Sequence, residues 1–171
     1  MKKKVFIIDT SAVLSGKPIR ITDAVLVTTP GVSDEFSPGG RDFQNFELLK
    51  EIGLTILLPS KEALDKVIRT AKETGDDRRL SRADIEIVAL AVDMMKDQHQ
   101  EVTILSDDYS IQNLASTLNV QYQGVLQKEI TKKFKWISRC PGCGKKFNEQ
   151  TKICPICGTL TKSSLHHKKD L

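Results

Sequence analysis

The chain lacks any apolar run approaching the length of a membrane-spanning helix, since Val25-Leu26-Val27 and Ile56-Leu57-Leu58 stop after a few residues. Its basic start, Met1-Lys2-Lys3-Lys4, precedes an apolar stretch too short for a secretory signal. A cytoplasmic protein with no membrane partner is therefore expected. No glycine-rich loop of Walker type is present, which argues against nucleoside-triphosphate chemistry. Internal repeats are missing too, apart from one pair of cysteine hooks. Cysteine itself is absent from the first 139 residues.

All four cysteines fall within eighteen residues: Cys140 and Cys143 form one C-x-x-C hook, and Cys154 and Cys157 the other. As disulfides they would suit an exported scaffold, but nothing else suggests export. As thiolates they complete a closed tetrahedral Zn²⁺ site, with Gly144 and Gly158 giving each knuckle its backbone freedom. A structural zinc ribbon is expected. The same spacing would also serve a rubredoxin-like iron centre.

Charge is divided along the chain. Residues 1–122 carry 15 Lys and Arg against 19 Asp and Glu, whereas residues 123–171 carry 11 against 3. A polyanion would meet the C-terminal part first. Lys133, Lys135, Arg139, Lys145, Lys146 and Lys152 are the candidate contacts for such a polyanion. Arg78 and Arg82 are further candidates, just before Asp84. The plain alternative for each is a solvated surface.

At 171 residues and 39% hydrophobic composition, the chain suits one domain with a small appendage. Strand-like runs at 5–9, 24–27, 54–59, 102–105 and 120–125 alternate with helical periodicities. That alternation predicts a three-layer α/β sandwich on a parallel sheet. Ser60 and Gly75 bracket one expected helix, and Ser81 opens the next. Ser33 is expected to cap a helix with Asp34 and Glu35 in its first turn. The expected domains are residues 1–125, a basic linker and lead-in strand over 126–136, the ribbon over 137–161 and a disordered tail over 162–171.

Several acids sit where such a fold would converge them. Asp9 ends the run Val5-Phe6-Ile7-Ile8, and Asp107 and Asp108 follow Val102-Thr103-Ile104-Leu105. Glu35 and Asp84 fall at expected helix starts. In parallel sheets the functional crevice lies beyond the carboxyl ends of the strands. Two carboxylates about 4 Å apart repel by about 1 kcal/mol even in water. A hard divalent ion such as Mg²⁺ or Mn²⁺ would reverse that sign, and such sites act on phosphate esters. Each acid also has a structural account: Asp84 as the closing member of a capping box, Asp107 or Asp108 as a cap, Glu35 against a helix dipole. Asp9 has no capping role that the sequence suggests.

The segments around Asp9 (Val5-Phe6-Ile7-Ile8-Asp9-Thr10-Ser11-Ala12), Asp84 (Leu80-Ser81-Arg82-Ala83-Asp84) and Asp107 (Leu105-Ser106-Asp107-Asp108-Tyr109) resemble the acidic motifs of PIN-domain ribonucleases. With a four-cysteine ribbon behind them, the chain resembles more narrowly the Nin-one-binding endonucleases in their short archaeal form. The resemblance implies a PIN fold over about residues 1–122 and metal-dependent cleavage of single-stranded RNA, leaving a 3′-hydroxyl and a 5′-phosphate. It implies precursor small-subunit (16S) ribosomal RNA as the partner, matured at its 3′ end. By the same resemblance Asp9, Asp84 and Asp107 are metal ligands, Glu35 is the remaining acid, and Asp108 is an additional or supporting ligand. Ser11 and Ser106 would support the cluster. A non-catalytic zinc-ribbon RNA-binding adaptor is the alternative, and a toxin-type PIN nuclease a further one.

Overall fold

The computed structural model describes residues 2–17, 24–126, 132–148 and 151–170. The first strand, β1 (Lys3–Ile8), leads through the short helix α1 (Thr10–Leu14) to β2 (Ala24–Thr28). Helices α2 (Pro30–Asp34) and α3 (Arg41–Glu51) precede β3 (Thr55–Ile56). Then follow α4 (Lys61–Thr74), α5 (Arg82–Met94), β4 (Gln100–Leu105), α6 (Tyr109–Thr117) and β5 (Gln121–Gln123). The five strands form one parallel sheet in the order β3-β2-β1-β4-β5. From β1 the chain winds outward to β3, then crosses back to β4 and winds the other way. With the right-handed crossovers that parallel strands adopt, this order puts the helices before β3 and those after it on opposite faces, giving three layers. None of the described helices is long and apolar enough to cross a membrane.

Local chemistry explains the element ends. Ser60 caps α4 by accepting from Ala63 N, and Gly75 closes it in the left-handed region at φ 77°. Ser81 and Asp84 form the expected capping box on α5. The buried face of α5 contains Ile87, Val88, Leu90 and Ala91, which join Ile7, Ile8, Ile104, Ile111 and Leu114 in one core.

Three expectations are corrected. Residues 54–59 do not form a buried strand: only Thr55–Ile56 pair, both exposed. The strand is an edge, bonded to β2 alone, and Pro59 has no N–H to extend the ladder. Helix α2 starts at Pro30 rather than after Ser33, because proline at the first turn needs no N–H partner. Asp34 and Glu35 therefore end the helix instead of opening it.

The third correction concerns the tail. Residues 162–170, expected to be disordered, form β8 (Lys162–Asp170) along β6 (Lys132–Arg139), with β7 (Lys146–Phe147) on the other side. Main-chain ladder bonds hold β8 without an apolar face, so hydrophobic period does not reveal it. Of the expected linker, residues 127–131 lie outside the described residues, and 132–136 belong to β6. Strand β6 packs against α4 and α6.

Candidate active site and thiol cluster

The winding reverses between β1 and β4, and Ile8 stands level with Leu105 across that pair. Asp9 is the next residue on one side, and Ser106-Asp107-Asp108 follow on the other. Asp9 is 4% exposed. Its N–H extends the ladder to Leu105 O at 3.2 Å. The hydroxyls of Ser11 and Ser106 each donate to Asp9 Oδ2 at 2.7 Å. In turn Ser11 Oγ accepts from Asp107 N at 2.9 Å, and Ser106 Oγ accepts from Asp108 N at 3.1 Å. Each serine thus ties the third acidic segment to Asp9. Burial pushes the Asp9 carboxyl above its ordinary range, against the opposing hydrogen bonds of Ser11 and Ser106.

Asp84 caps its own helix, with Oδ2 accepting from Ser81 N at 2.6 Å. It also belongs to the cluster. Burial raises its pKa first; the Ser81 hydrogen bonds oppose this, and the negative charges of Asp9 and Asp108 raise it further. One side chain thus caps its helix and feels the charges of Asp9 and Asp108. Asp108 likewise caps α6, its Oδ1 accepting from Ser110 N at 2.6 Å and Ile111 N at 3.3 Å.

Asp107 is engaged elsewhere. Its carboxylate accepts from Val125 N at 2.8 Å and Leu126 N at 3.0 Å, holding the chain that leaves β5. Lys17 reaches the same stretch, donating from Nζ to Val125 O at 2.7 Å. Glu35 is exposed at the C-terminal end of α2, where a helix dipole disfavours an acid, so the expected dipole role does not hold. Its partner is Thr10, whose hydroxyl donates to Glu35 Oε2 at 2.7 Å. That bond anchors Glu35 to the residue beside Asp9.

Three supporting residues escape sequence reasoning. Thr10 reads only as a helix start. Glu86, 4% exposed, accepts from Gly31 N at 2.9 Å and pairs with Arg82 Nε at 2.9 Å. It joins α5, which carries Asp84, to α2, which Glu35 caps at its C-terminal end. A Cβ on Gly31 would stand 2.8 Å from Glu86 Oε2 and 2.9 Å from Ala83 Cα, so only glycine allows this approach. Buried Gln112 donates from Nε2 to Ser106 O at 2.9 Å. The apolar period of α5 (Ile85, Val88, Ala89, Val92) leaves Glu86 off its face, and Gln112 is likewise off the apolar face of α6, so neither their burial nor their partners can be read from the sequence.

The four cysteines converge with their Sγ atoms within 4.8 Å of one another, the sole such group of metal-ligand types among the described residues. Cys140 and Cys157 are 3.4 Å apart at sulfur, and Cys143 and Cys154 3.6 Å. A disulfide would require about 2.05 Å. Tetrahedral thiolates around zinc, with Zn–S about 2.3 Å, stand about 3.8 Å apart. Both hooks fold alike: Gly144 N bonds Cys140 O at 3.0 Å and Gly158 N bonds Cys154 O at 2.9 Å, with φ 74° and 73°. Contact with Thr159, at its side chain and backbone, and then with Cys140 brings the Cys157 thiol down to about 6. The cluster can bind zinc.

Lys135, Arg139, Lys145, Lys146 and Lys152 are exposed on the C-terminal module. The side chain of Lys133 lies outside the described residues. Arg78 is exposed, while Arg82 presents a largely solvated side chain that Glu86 holds at Nε.

A buried switch-point carboxylate flanked by hydroxyls and further acids can hold a hard divalent ion. The family description "PIN domain of ribonuclease" matches residues 6–94. The chain is 35% identical to Endoribonuclease Nob1 of Archaeoglobus fulgidus over 160 residues, covering 91% of this chain and 88% of the relative. Endoribonuclease Nob1 of Pyrococcus abyssi is also 35% identical, covering 91% of each chain. Ribonuclease VapC1 of Thermoplasma acidophilum is 35% identical over 98% of this chain and 81% of its own. Because that match also spans the cysteines, an attached ribbon does not separate the two names.

The chain belongs to the PIN-domain ribonucleases. Within them it is a Nob1-like, metal-dependent endoribonuclease that acts on RNA.

Proposed function

We propose that the protein matures precursor small-subunit ribosomal RNA in the cytoplasm, cleaving at the 3′ end of 16S RNA. Asp9, Asp84, Asp107 and Asp108, with Glu35 at the rim, form the catalytic site, and Asp9, Asp84, Asp107 and Asp108 are the ligands of Mg²⁺ or Mn²⁺. The carrying observation is an unneutralised charge set: among the described residues no lysine or arginine pairs with Asp9, Asp84 or Asp108. Yet Asp9 is buried, and Asp9 and Asp108 both act on Asp84. An all-oxygen donor set of this kind suits a hard divalent ion. Such an ion supplies charge neutralisation at the phosphate and a more acidic attacking water.

The chain's own groups do the rest. Ser11 and Ser106 hold Asp9 by its Oδ2 oxygen. Of the adjacent pair, Asp108 acts electrostatically on Asp84, while Asp107 couples the site to the chain leaving β5. Glu35, positioned by Thr10, takes the proton of the attacking water. The water oxygen bonds to phosphorus, the bond to O3′ breaks, and O3′ takes a proton from solvent water as it leaves, giving a 3′-hydroxyl and a 5′-phosphate. Zn²⁺ on Cys140, Cys143, Cys154 and Cys157 holds the ribbon, whose Lys135, Arg139, Lys145, Lys146 and Lys152 contact phosphates. Lys133, Arg78 and Arg82 extend that surface. Such contacts add affinity more than sequence preference.

Asp9→Asn keeps the shape of the site and removes its deepest charge. On precursor RNA spanning the mature 3′ end, the variant should lose cleavage by at least about a hundredfold, an electrostatic loss of about 3 kcal/mol, while retaining RNA affinity. Equal cleavage by variant and wild type across Mg²⁺ and Mn²⁺ would leave only the RNA-binding adaptor.

A further inference from the structure

The strand that opens the ribbon module, β6, also packs against α4 and α6 of the catalytic domain. On β6 stands Trp136, and the guanidinium carbon of Arg79 lies 3.6 Å from its ring centroid. That is well inside the range of a cation–π contact, and a planar guanidinium can stack where an ammonium cannot. We propose that Arg79 and Trp136 form a latch that fixes the ribbon on the catalytic domain and thereby sets which phosphodiester bond is cut.

Both arms of the latch are stiff. Arg79 sits in the turn between α4 and α5, where its N–H bonds Asp76 O at 2.8 Å and the Leu80 N–H bonds the same carbonyl at 3.2 Å. The Asp76 side chain, 1% exposed, accepts at Oδ2 from Thr74 Oγ1 and from Asn113 Nδ2, each at 2.7 Å. Asn113 belongs to α6, the helix that Asp108 opens. Two residues beyond Arg79 comes Ser81, whose capping box holds Asp84. On the other arm, Ile137 and Ser138 are buried directly after Trp136, and Ser138 Oγ accepts from Thr151 N at 3.0 Å. Cys140 of the thiol cluster follows.

A short, braced path therefore runs from Asp84 through Arg79 and Trp136 to the ribbon. Lysines on the ribbon, tethered this way, stand at a fixed offset from Asp9. An RNA gripped by them has one phosphate in reach of the acids. With the latch open, the offset varies and neighbouring phosphates compete. This inference rests on the assignment of Asp9 and Asp84 to the cleavage site and of the ribbon to RNA contact.

Trp136 is the only tryptophan in the chain, so its emission reports the latch directly. Arg79→Lys keeps the charge and loses the stack; Trp136→Ala removes the ring; Trp136→Phe restores one. Arg79→Lys should shift the tryptophan emission of the full chain. Both Arg79→Lys and Trp136→Ala should lower the preference for the main cut over neighbouring bonds by about two- to fivefold on RNA spanning both modules, the span of an exposed cation–π contact. Trp136→Phe should recover much of it. Cleavage of a short single-stranded oligonucleotide that cannot reach the ribbon should be unchanged. Unaltered emission in Arg79→Lys, or product ends identical to wild type in both variants, overturns the latch. So does an equal loss on the short oligonucleotide, which would place these residues in the site or the fold. A wild type that cuts no RNA, or an Asp9→Asn that cuts normally, refutes the nuclease assignment instead, and the emission test of the latch still stands.

Discussion

At Asp9 the folded protein holds a carboxylate in a place that favours its neutral form. Burial raises its pKa, as it does for Asp84, above the ordinary 3.8. The folded state thus binds these protons more tightly than the unfolded chain. Their contribution to stability is full below 3.8 and is lost as pH rises through the raised values. Without divalent ions, thermal melts should show Asp9→Asn gaining on wild type as pH increases from acid to neutral. Adding Mn²⁺ at neutral pH should stabilise wild type and leave Asp9→Asn much less affected. A variant that tracks wild type at every pH, with and without Mn²⁺, would mean that Asp9 carries no such strain.

Elements carry the acids to one edge, and one buried contact couples two of them. Glu86 on α5 holds the Gly31 N–H at the start of α2, so the helix bearing Asp84 and the helix that Glu35 caps are tied together. Glu86→Leu leaves that N–H without its acceptor and should cost about 1–3 kcal/mol in denaturant unfolding. Glu86→Gln retains an acceptor oxygen and should cost far less, since the partner Arg82 is largely solvated and its ion pair contributes little. If both variants unfold like wild type, the α2–α5 tie has no energetic weight.

In the whole molecule the two modules differ in what stabilises them. The catalytic domain has one continuous apolar core, whereas among the described residues of the C-terminal module only Ile137, Ser138, Cys140 and Cys154 are buried. A module this small needs a metal staple. Purified protein should be colourless with about one zinc per chain in a four-thiolate site, and red, iron-bearing protein would favour the rubredoxin-like iron centre. A strong chelator should expose four reactive thiols and unfold the ribbon, leaving the main thermal transition of the catalytic domain in place.

Much of this was legible in the residues themselves. Buried strands announce themselves by apolar runs, so β1 and β4 and the acids that end them could be read directly. Paired C-x-x-C hooks encode their own ligand geometry over a short loop. Capping at Ser60 and Ser81 is local chemistry, written within four positions. Other features depend on partners distant in the chain, which no local pattern reveals. The Thr10 bond to Glu35, the diversion of Asp107 to Val125 and Leu126, and the grip of Glu86 on Gly31 are of that kind. So are β8, held by main-chain bonds that any sequence can make, and the stacking of Arg79 on Trp136. Local sequence determined which groups this protein owns and the elements that bear them. Tertiary packing alone decided which groups meet, because contacts between distant residues arise from the folded path of the whole chain.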